Sequence, residues 1–325
     1  MKKNIAVVAG GNSGEYEISI KSGRVVIDHL PEDRYSAYVI IINDQDWYHS
    51  TADDQKVPVD QSDFTLDLPG AKISFDAVFI AIHGTPGEDG RLQVYFDKLG
   101  IPYTSCDMVT SAMTFNKYFC TCFVNTLDVL TARSILVRNA VDIKTEKILQ
   151  VTGLPCFIKP NKGGSSVGIS KVNHEDELLA AVKRAFEEDD EVIAEGFIAG
   201  REITCGVLMH KGEITALPIT EIVSKNEFFD YEAKYEGKSE EITPAPIPEE
   251  IAKKCQELSV FLFKEMECKG VVRFDYIFND AGIYFLEVNT VPGLTEGSII
   301  PQQAMEAGIT LSDLFSDMIE QAVGG

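Results

Sequence analysis

The sequence predicts a parallel α/β domain at the amino terminus followed by two α+β domains, spanning 1–105, 106–199 and 200–325. Three observations lead there. Apolar strands alternate with helical patterns from Asn4 to Ile82, as in a parallel sheet with crossover helices. From Pro155 onward the apolar runs shorten and are split by glycine-rich turns and amphipathic helices, an α+β arrangement. Finally, Val271 to Thr295 holds two β-rich runs around a turn cluster, which reads as a hairpin.

In order, Asn4 to Ala9 is a buried strand running into Gly10-Gly11-Asn12-Ser13-Gly14-Glu15. A helix follows to about Leu30, with Ser13 as its expected N-cap. Tyr38 to Ile42 and Ala77 to Ile82 are further strands. Gly10, Gly11 and Gly14 lack the spacing of a dinucleotide fingerprint. The third strand ends in His83-Gly84-Thr85-Pro86-Gly87-Glu88-Asp89-Gly90, and loops at such strand ends are where ligands bind. The other reading is a glycine-rich turn whose acids, Glu88 and Asp89, charge the next helix, with His83 a hydrogen-bonded core residue.

Beyond Ile101-Pro102 a helix is expected from Ser111 to Asn125, carrying Lys117. Strands are expected at Pro155–Lys159, Val167–Val172 and Glu191–Glu195, with a helix from Asp176 to Glu188. Glu202–Leu208 and Glu213–Ile219 flank a turn at Lys211-Gly212. Glu227 to Pro248 is polar and reads as a long functional loop. Helices at Ile251–Met266 and Leu311–Ala322 bracket the hairpin.

Composition narrows the function. With 325 residues and 45% hydrophobic content, sizeable cores are available. Lys and Arg number 29 against 51 Asp and Glu, a formal charge of −22, which repels nucleic acid and anionic membranes. No apolar run approaches the ~20 residues of a membrane span. Ile5 to Ala9 is too brief for a signal-peptide core, so a cytoplasmic location is expected. The seven cysteines are scattered, and Cys120 and Cys122 read as packed or free thiols.

Two stretches carry chemistry. Lys159-Pro160-Asn161-Lys162-Gly163-Gly164-Ser165-Ser166-Val167-Gly168 joins two strands, and its backbone N–H groups, hydroxyls and lysines could close around an anion. A surface hairpin loop is the alternative. In the hairpin, side chains two apart share a face, so Arg273 goes with Asp275 and Glu287 with Asn289. A three-residue loop ending at Gly282 would pair Asn279 with Ile283, set Asp275 opposite Glu287, and set Arg273 opposite Asn289. Two carboxylates and a carboxamide then converge, an oxygen set suited to Mg²⁺ or Mn²⁺ with substrate phosphates. Ordinary outward-facing strand residues are the alternative, and a shift of one residue would separate the pairs.

Four motifs, His-Gly-x-x-Gly-Glu-Asp-Gly, Lys-Pro-x-x-x-Gly-Ser-Ser-Val-Gly, Asp-Tyr-Glu-Ala-Lys-Tyr and Glu-Val-Asn-Thr-x-Pro-Gly-Leu-Thr, occur in order between Gly10 and Pro301. Together they resemble D-alanine–D-alanine ligase of the ATP-grasp superfamily. The resemblance implies an ATP-grasp fold in which two α+β domains clamp ATP, and a peptidoglycan-precursor reaction. One D-alanine is phosphorylated by ATP to an acylphosphate, and the amine of a second attacks it. It also implies a homodimer. Carried over by motif, Asp275, Glu287 and Asn289 would hold Mg²⁺ or Mn²⁺, two ions in all. Lys117 and Lys159 would contact ATP phosphates, Glu195, Phe197 and Ile198 would line the adenine pocket, and Glu202 would take the ribose. Arg273 and the Gly293 backbone would form the oxyanion site, and Glu15 would bind the first ammonium group, with His83 nearby. Ser298, Ile299 and Lys234 would hold the second carboxylate, while Tyr235 and Ser165 would link loop and flap to Glu15. Asn116, Gly196 and Phe229 depart from the family's common residues. The rivals are a depsipeptide or D-alanyl-D-serine ligase, with Tyr235 against them, another ATP-grasp carboxylate–amine ligase, and a nucleotide-binding regulator that has lost catalysis.

Overall fold

A computed structural model describes residues 2–44, 46–51, 55–164, 167–224 and 239–324. The amino-terminal unit runs β1 (Lys3–Gly10), α1 (Tyr16–His29), β2 (Tyr35–Ile42), β3 (Trp47–Ser50), β4 (Lys56–Asp60), β5 (Thr65–Leu68), β6 (Ala71–Ile73), β7 (Ala77–Ile80) and α2 (Arg91–Leu99). Its seven-stranded sheet has the order β6-β5-β4-β3-β2-β1-β7. Only β7, β1 and β2 are parallel, and β2 through β6 continue as an antiparallel meander. The expected parallel sheet is therefore mixed. Strands β3 to β6 are short and half-exposed, so they lack the long apolar runs that marked β1 and β7. Ser13 is not the N-cap of α1. Glu15 occupies that position, while the Ser13 hydroxyl donates to the His83 carbonyl at 2.9 Å.

Next come α3 (Met108–Phe115), α4 (Lys117–Asn125), β8 (Ser134–Val137), α5 (Thr145–Thr152), β9 (Cys156–Pro160), β10 (Ser170–Val172), α6 (Glu175–Ala185) and β11 (Val192–Gly196). Four strands in the order β10-β9-β11-β8 form an antiparallel sheet with its own core around Ile158, Leu178 and Val192. The single helix expected at Ser111–Asn125 is two helices. Asn116 breaks it, with an extended backbone (φ −86°, ψ 100°) and a carboxamide that accepts from Phe119 N.

The last unit comprises β12 (Arg201–His210), β13 (Glu213–Ala216), β14 (Thr220–Ser224), β15 (Ser239–Ile242), α7 (Glu249–Glu265), β16 (Val271–Asn279), β17 (Gly282–Asn289), α8 (Ile299–Glu306) and α9 (Leu311–Gly324). Its sheet is ordered β15-β14-β12-β16-β17, with β13 beside β12. The stretch expected to be one irregular loop contains β15, which pairs with β14. Helix α9 closes the chain against the first sheet. Its Leu314, Phe315 and Ile319 share a core with Ile5, Val7 and Phe79. Cys120 and Val124 of α4 pack instead with Val272 and Phe274 of the third sheet. Six of the seven free cysteines are buried and Cys122 is exposed. No helix among the described residues is long and apolar enough to cross a membrane.

Candidate active site

The hairpin β16–β17 sets the acidic wall. Asp275 lies opposite Glu287 and Arg273 opposite Asn289, as the sequence predicts. The route differs. Asn279 pairs with Gly282 rather than Ile283, so the loop has two residues, Asp280 and Ala281. A bulge at Leu286 then restores the register before the functional residues are reached. Both errors are one residue, and they cancel.

Asp275 is buried, at 4% exposed. Its carboxylate accepts from Arg273 Nε at 2.9 Å and Arg273 Nη2 at 2.8 Å, from Thr204 Oγ1 at 2.5 Å and from Asn289 Nδ2 at 3.0 Å. Burial alone would lower the Arg273 pKa, but Asp275 and then Glu287 hold the guanidinium charged. The carboxamide oxygen of Asn289 takes no hydrogen bond from the described residues. Among the described residues no three His, Cys, Asp or Glu side chains gather as metal ligands. Here the third donor is an asparagine, and two carboxylates with one carboxamide oxygen suit a hard cation.

The facing wall is basic. Lys159 on β9 reaches Glu195 Oε2 on β11 at 2.7 Å, because Lys159 pairs with Ile193 and both side chains share a sheet face. Burial would lower the Lys159 pKa, yet Glu195, Glu287 and Glu202 together raise it, so the ammonium stays charged. Lys117, placed at the start of α4 by the break at Asn116, reaches Gly163 O at 2.9 Å and Glu287 Oε2 at 3.5 Å. Glu202 is pushed up to about 8, first by burial and then by Asp275 and Glu287.

These walls enclose a cavity of about 1030 Å³, also lined by Glu15, Glu195, Phe197, Ile198, Gly163 and Gly164. A second pocket of about 50 Å³ adjoins it, between Glu15, Glu88, Lys117, Glu287 and Asn289. A Cβ on Gly164 would stand 3.2 Å from Glu15 Oε2, so the flap loop passes close to Glu15. Glu17 is the acid of the first turn of α1, while Glu15 faces the cavity.

His83 does not line the large cavity. It is 4% exposed, with Nδ1 donating to Val291 O at 2.7 Å and Nε2 beside Ser22 Oγ at 3.0 Å. Ser22 Oγ also accepts from Leu294 N at 3.2 Å. Glu88, read from sequence as a charge at a helix start, accepts from Gly84 N at 2.7 Å and Val291 N at 3.0 Å. His83, Ser22 and Glu88 thus fix the Val291–Leu294 loop from the amino-terminal unit. That loop carries Gly293, whose added Cβ would lie 2.8 Å from Ser298 Oγ. Ser298 precedes α8 and Ile299 begins it. Ser22 and Glu88 carried no sequence signal of this role, since their partners are remote in the chain.

A family model described as the D-ala D-ala ligase N-terminus matches residues 4–106, and one described as the D-ala D-ala ligase C-terminus matches 124–320. The chain belongs to the D-alanine–D-alanine ligase family. A D-alanine–D-alanine ligase from Flavobacterium johnsoniae is 50% identical over 318 residues, covering 98% of each chain. Among solved structures, the VanG D-Ala:D-Ser ligase from Enterococcus faecalis matches at 34% identity and a TM-score of 0.88, over 99% of this chain and 100% of that one. The D-alanine–D-alanine ligase from Bacillus anthracis complexed with ATP matches at 29% identity and a TM-score of 0.79, over 99% and 98%. The fold is that of the D-alanine–D-alanine ligases, the ATP-grasp arrangement expected from the motifs. Of the family residues expected from sequence, the structure brings Glu15, Lys117, Lys159, Glu195, Phe197, Ile198, Glu202, Arg273, Asp275 and Glu287 to one cavity. Ser165, Lys234 and Tyr235 lie outside the described residues.

Proposed function

We propose that this cavity is where the family's reaction takes place, the ATP-dependent joining of two D-alanines to D-alanyl-D-alanine for peptidoglycan precursor synthesis. The observation that carries the reading is the gathering of these charges in one cavity. Lys117 and Lys159 line it together with Asp275 and Glu287, Lys117 Nζ lying 3.5 Å from Glu287 Oε2, with Arg273 fixed beside the carboxylates.

In this reading the adenine lies against Phe197 and Ile198, and Glu202 takes the ribose. Lys117 and Lys159 neutralise the phosphates, which the chain's net charge of −22 would otherwise repel. Asp275, Glu287 and Asn289 would hold Mg²⁺ or Mn²⁺, which when bound offsets phosphate charge during transfer. Glu15 binds the ammonium group of the first D-alanine and directs its carboxylate towards the γ-phosphate. Transfer gives an acylphosphate and ADP. The amine of the second D-alanine, its carboxylate held by Ser298 and the Ile299 backbone, attacks the acyl carbon. Arg273 and Gly293 N–H stabilise the resulting oxyanion, which collapses to the dipeptide as phosphate leaves and the ammonium proton is lost. His83 acts behind this site by holding the Val291–Leu294 loop. Lys234, Tyr235 and Ser165 complete the second-substrate end and the flap. A cytoplasmic location and a homodimer belong to the same proposal, as do the boundaries 1–105, 106–199 and 200–325.

The test is phosphate release with Mg·ATP and D-alanine, L-alanine, D-serine or D-lactate, with products identified by mass. D-Serine is included because one structural relative is named a D-Ala:D-Ser ligase. Release that depends on D-alanine and yields the dipeptide is expected, and Glu287→Gln should lower it by on the order of 100-fold or more with the melting curve unchanged. Near-normal turnover in that variant would remove the metal assignment.

A further inference from the structure

Where α4 meets the flap loop lies Asn161, a fully buried residue (0% exposed) to which the mechanism gives no part. All of its polar groups are used. Its N–H donates to Glu191 O at 2.9 Å and its carbonyl accepts from Lys117 N at 3.0 Å. Its Oδ1 accepts from Tyr118 N at 2.9 Å and its Nδ2 donates to Glu191 Oε2 at 3.1 Å. Lys117 and Tyr118 open α4, so Asn161 satisfies two N–H groups that a helix leaves without internal partners. Neighbouring bonds extend the seam. Lys162 N donates to Asp189 Oδ2 at 2.6 Å, and Asn116 forms a bridge with Lys162.

The consequence is geometric. Lys159 lies two residues before Asn161, and Lys117 is bonded to it directly. One residue therefore ties the two lysines, which approach the cavity from different elements, into a single frame, its backbone carbonyl on Lys117 N and its side chain on the neighbouring Tyr118 N. A polyphosphate spanning them needs their spacing held to within about 1 Å, since looser positioning forfeits preorganisation.

We propose that Asn161 is a positioning residue for the nucleotide, setting Lys117 relative to Lys159 through its bonds to the start of α4. It touches no reacting atom. The proposal rests on the reading of Lys117 and Lys159 as phosphate ligands.

The experiment is a double-mutant cycle on the full chain, read by calorimetric binding of a non-hydrolysable ATP analogue with Mg²⁺. Lys117→Ala and Asn161→Ala should each weaken binding by about tenfold, and the double variant should bind no worse than Lys117→Ala alone. The KM for D-alanine should stay within about twofold of the parent value. A residue that only stabilises the fold would lower the melting temperature and leave the affinity of the folded protein intact. Normal binding by Asn161→Ala, or losses that add, would overturn the proposal. Normal binding by Lys117→Ala would instead overturn the reading beneath it. Should Asn161→Ala not fold, Asn161→Asp alone decides against its rescue. Alone it sets two carboxylates face to face and should bind about tenfold more weakly. Combined with Glu191→Gln, it reverses donor and acceptor across the contact and should bind within about threefold of the parent. Failure of that rescue would count against Asn161.

Discussion

Glu88 shows what a single side chain does here. Its two oxygens hold the N–H groups of Gly84 and Val291, residues of loops more than two hundred positions apart in the chain. Charge-assisted bonds to buried backbone donors are among the stronger ones, because an orphaned N–H there loses its solvation as well. Replacing Glu88 with Gln preserves volume but turns one acceptor into a donor facing an N–H. We expect Glu88→Gln to destabilise the protein by about 2 kcal/mol in thermal unfolding. Turnover should fall too, since the Val291–Leu294 loop carries Gly293. An unchanged melting temperature would show that the loop is held by other contacts. The sequence hinted at little of this. Glu88 follows a strand and precedes a helix, and nothing local distinguishes a helix-start acid from a clasp on a distant loop.

Among the elements, α8 is placed by a residue that its own amphipathic pattern does not explain. Gln303, fully buried, accepts from Gly206 N and donates to Thr204 O and Thr220 Oγ1, each at 3.0 Å. Gly206 allows the approach, because a Cβ there would lie 2.5 Å from Ile300 Cδ1. The carboxamide therefore sets the seat of α8 on β12 and β14, and with it Ser298 and Ile299 at the helix start. Gln303→Leu keeps the bulk and leaves three polar groups without their partner. It should lower stability by about 3 kcal/mol and raise the KM for the second D-alanine more than that for ATP. Equal changes in both KM values would separate the seat of α8 from substrate binding. The hairpin teaches a second lesson at this scale. Alternation made legible which residues share a face, but the pairing of Asp275 with Glu287 holds only because the bulge at Leu286 offsets the shorter loop, and a bulge answers to strand twist rather than to local sequence.

For the molecule as a whole, the amino-terminal sheet and the last helix are joined by Glu320. Its carboxylate takes Lys3 Nζ at 2.9 Å, Tyr35 Oη at 2.7 Å and Arg34 Nη2 at 3.0 Å. The Lys3 hydrogen bond, followed by that of Tyr35, holds the carboxyl below its usual value, and Tyr35 is pushed up to about 12 by burial and then by Glu320. A depressed carboxylate favours the folded state above the unfolded pKa, and the advantage vanishes as pH falls through the folded value. Glu320 is 44% exposed, so solvent screens the pairs and the contribution is held to about 1 kcal/mol. Glu320→Gln should lower the melting temperature at pH 7 by a few degrees, with the difference closing below pH 4 or so. A difference that persisted at pH 3 would mean that neutral hydrogen bonds, and not the charge, join α9 to the sheet.

The sequence by itself determined the family and the reaction class, because these reside in short motifs whose chemistry is fixed by residue type and spacing, and the same motifs supplied the residues proposed for the metal, the phosphates and the oxyanion. The two-residue period of a strand also put Arg273 on one face with Asp275 and Glu287 on one face with Asn289, while their meeting across the hairpin was decided by the two-residue loop and the bulge at Leu286. Tertiary structure alone decided the antiparallel meander, the break at Asn116 and the burial of His83 against Val291. It alone decided the bonds of Glu88, Asn161 and Gln303. Each of those depends on a partner supplied by a remote segment, and the energy of a buried hydrogen bond belongs to the pair and not to either residue.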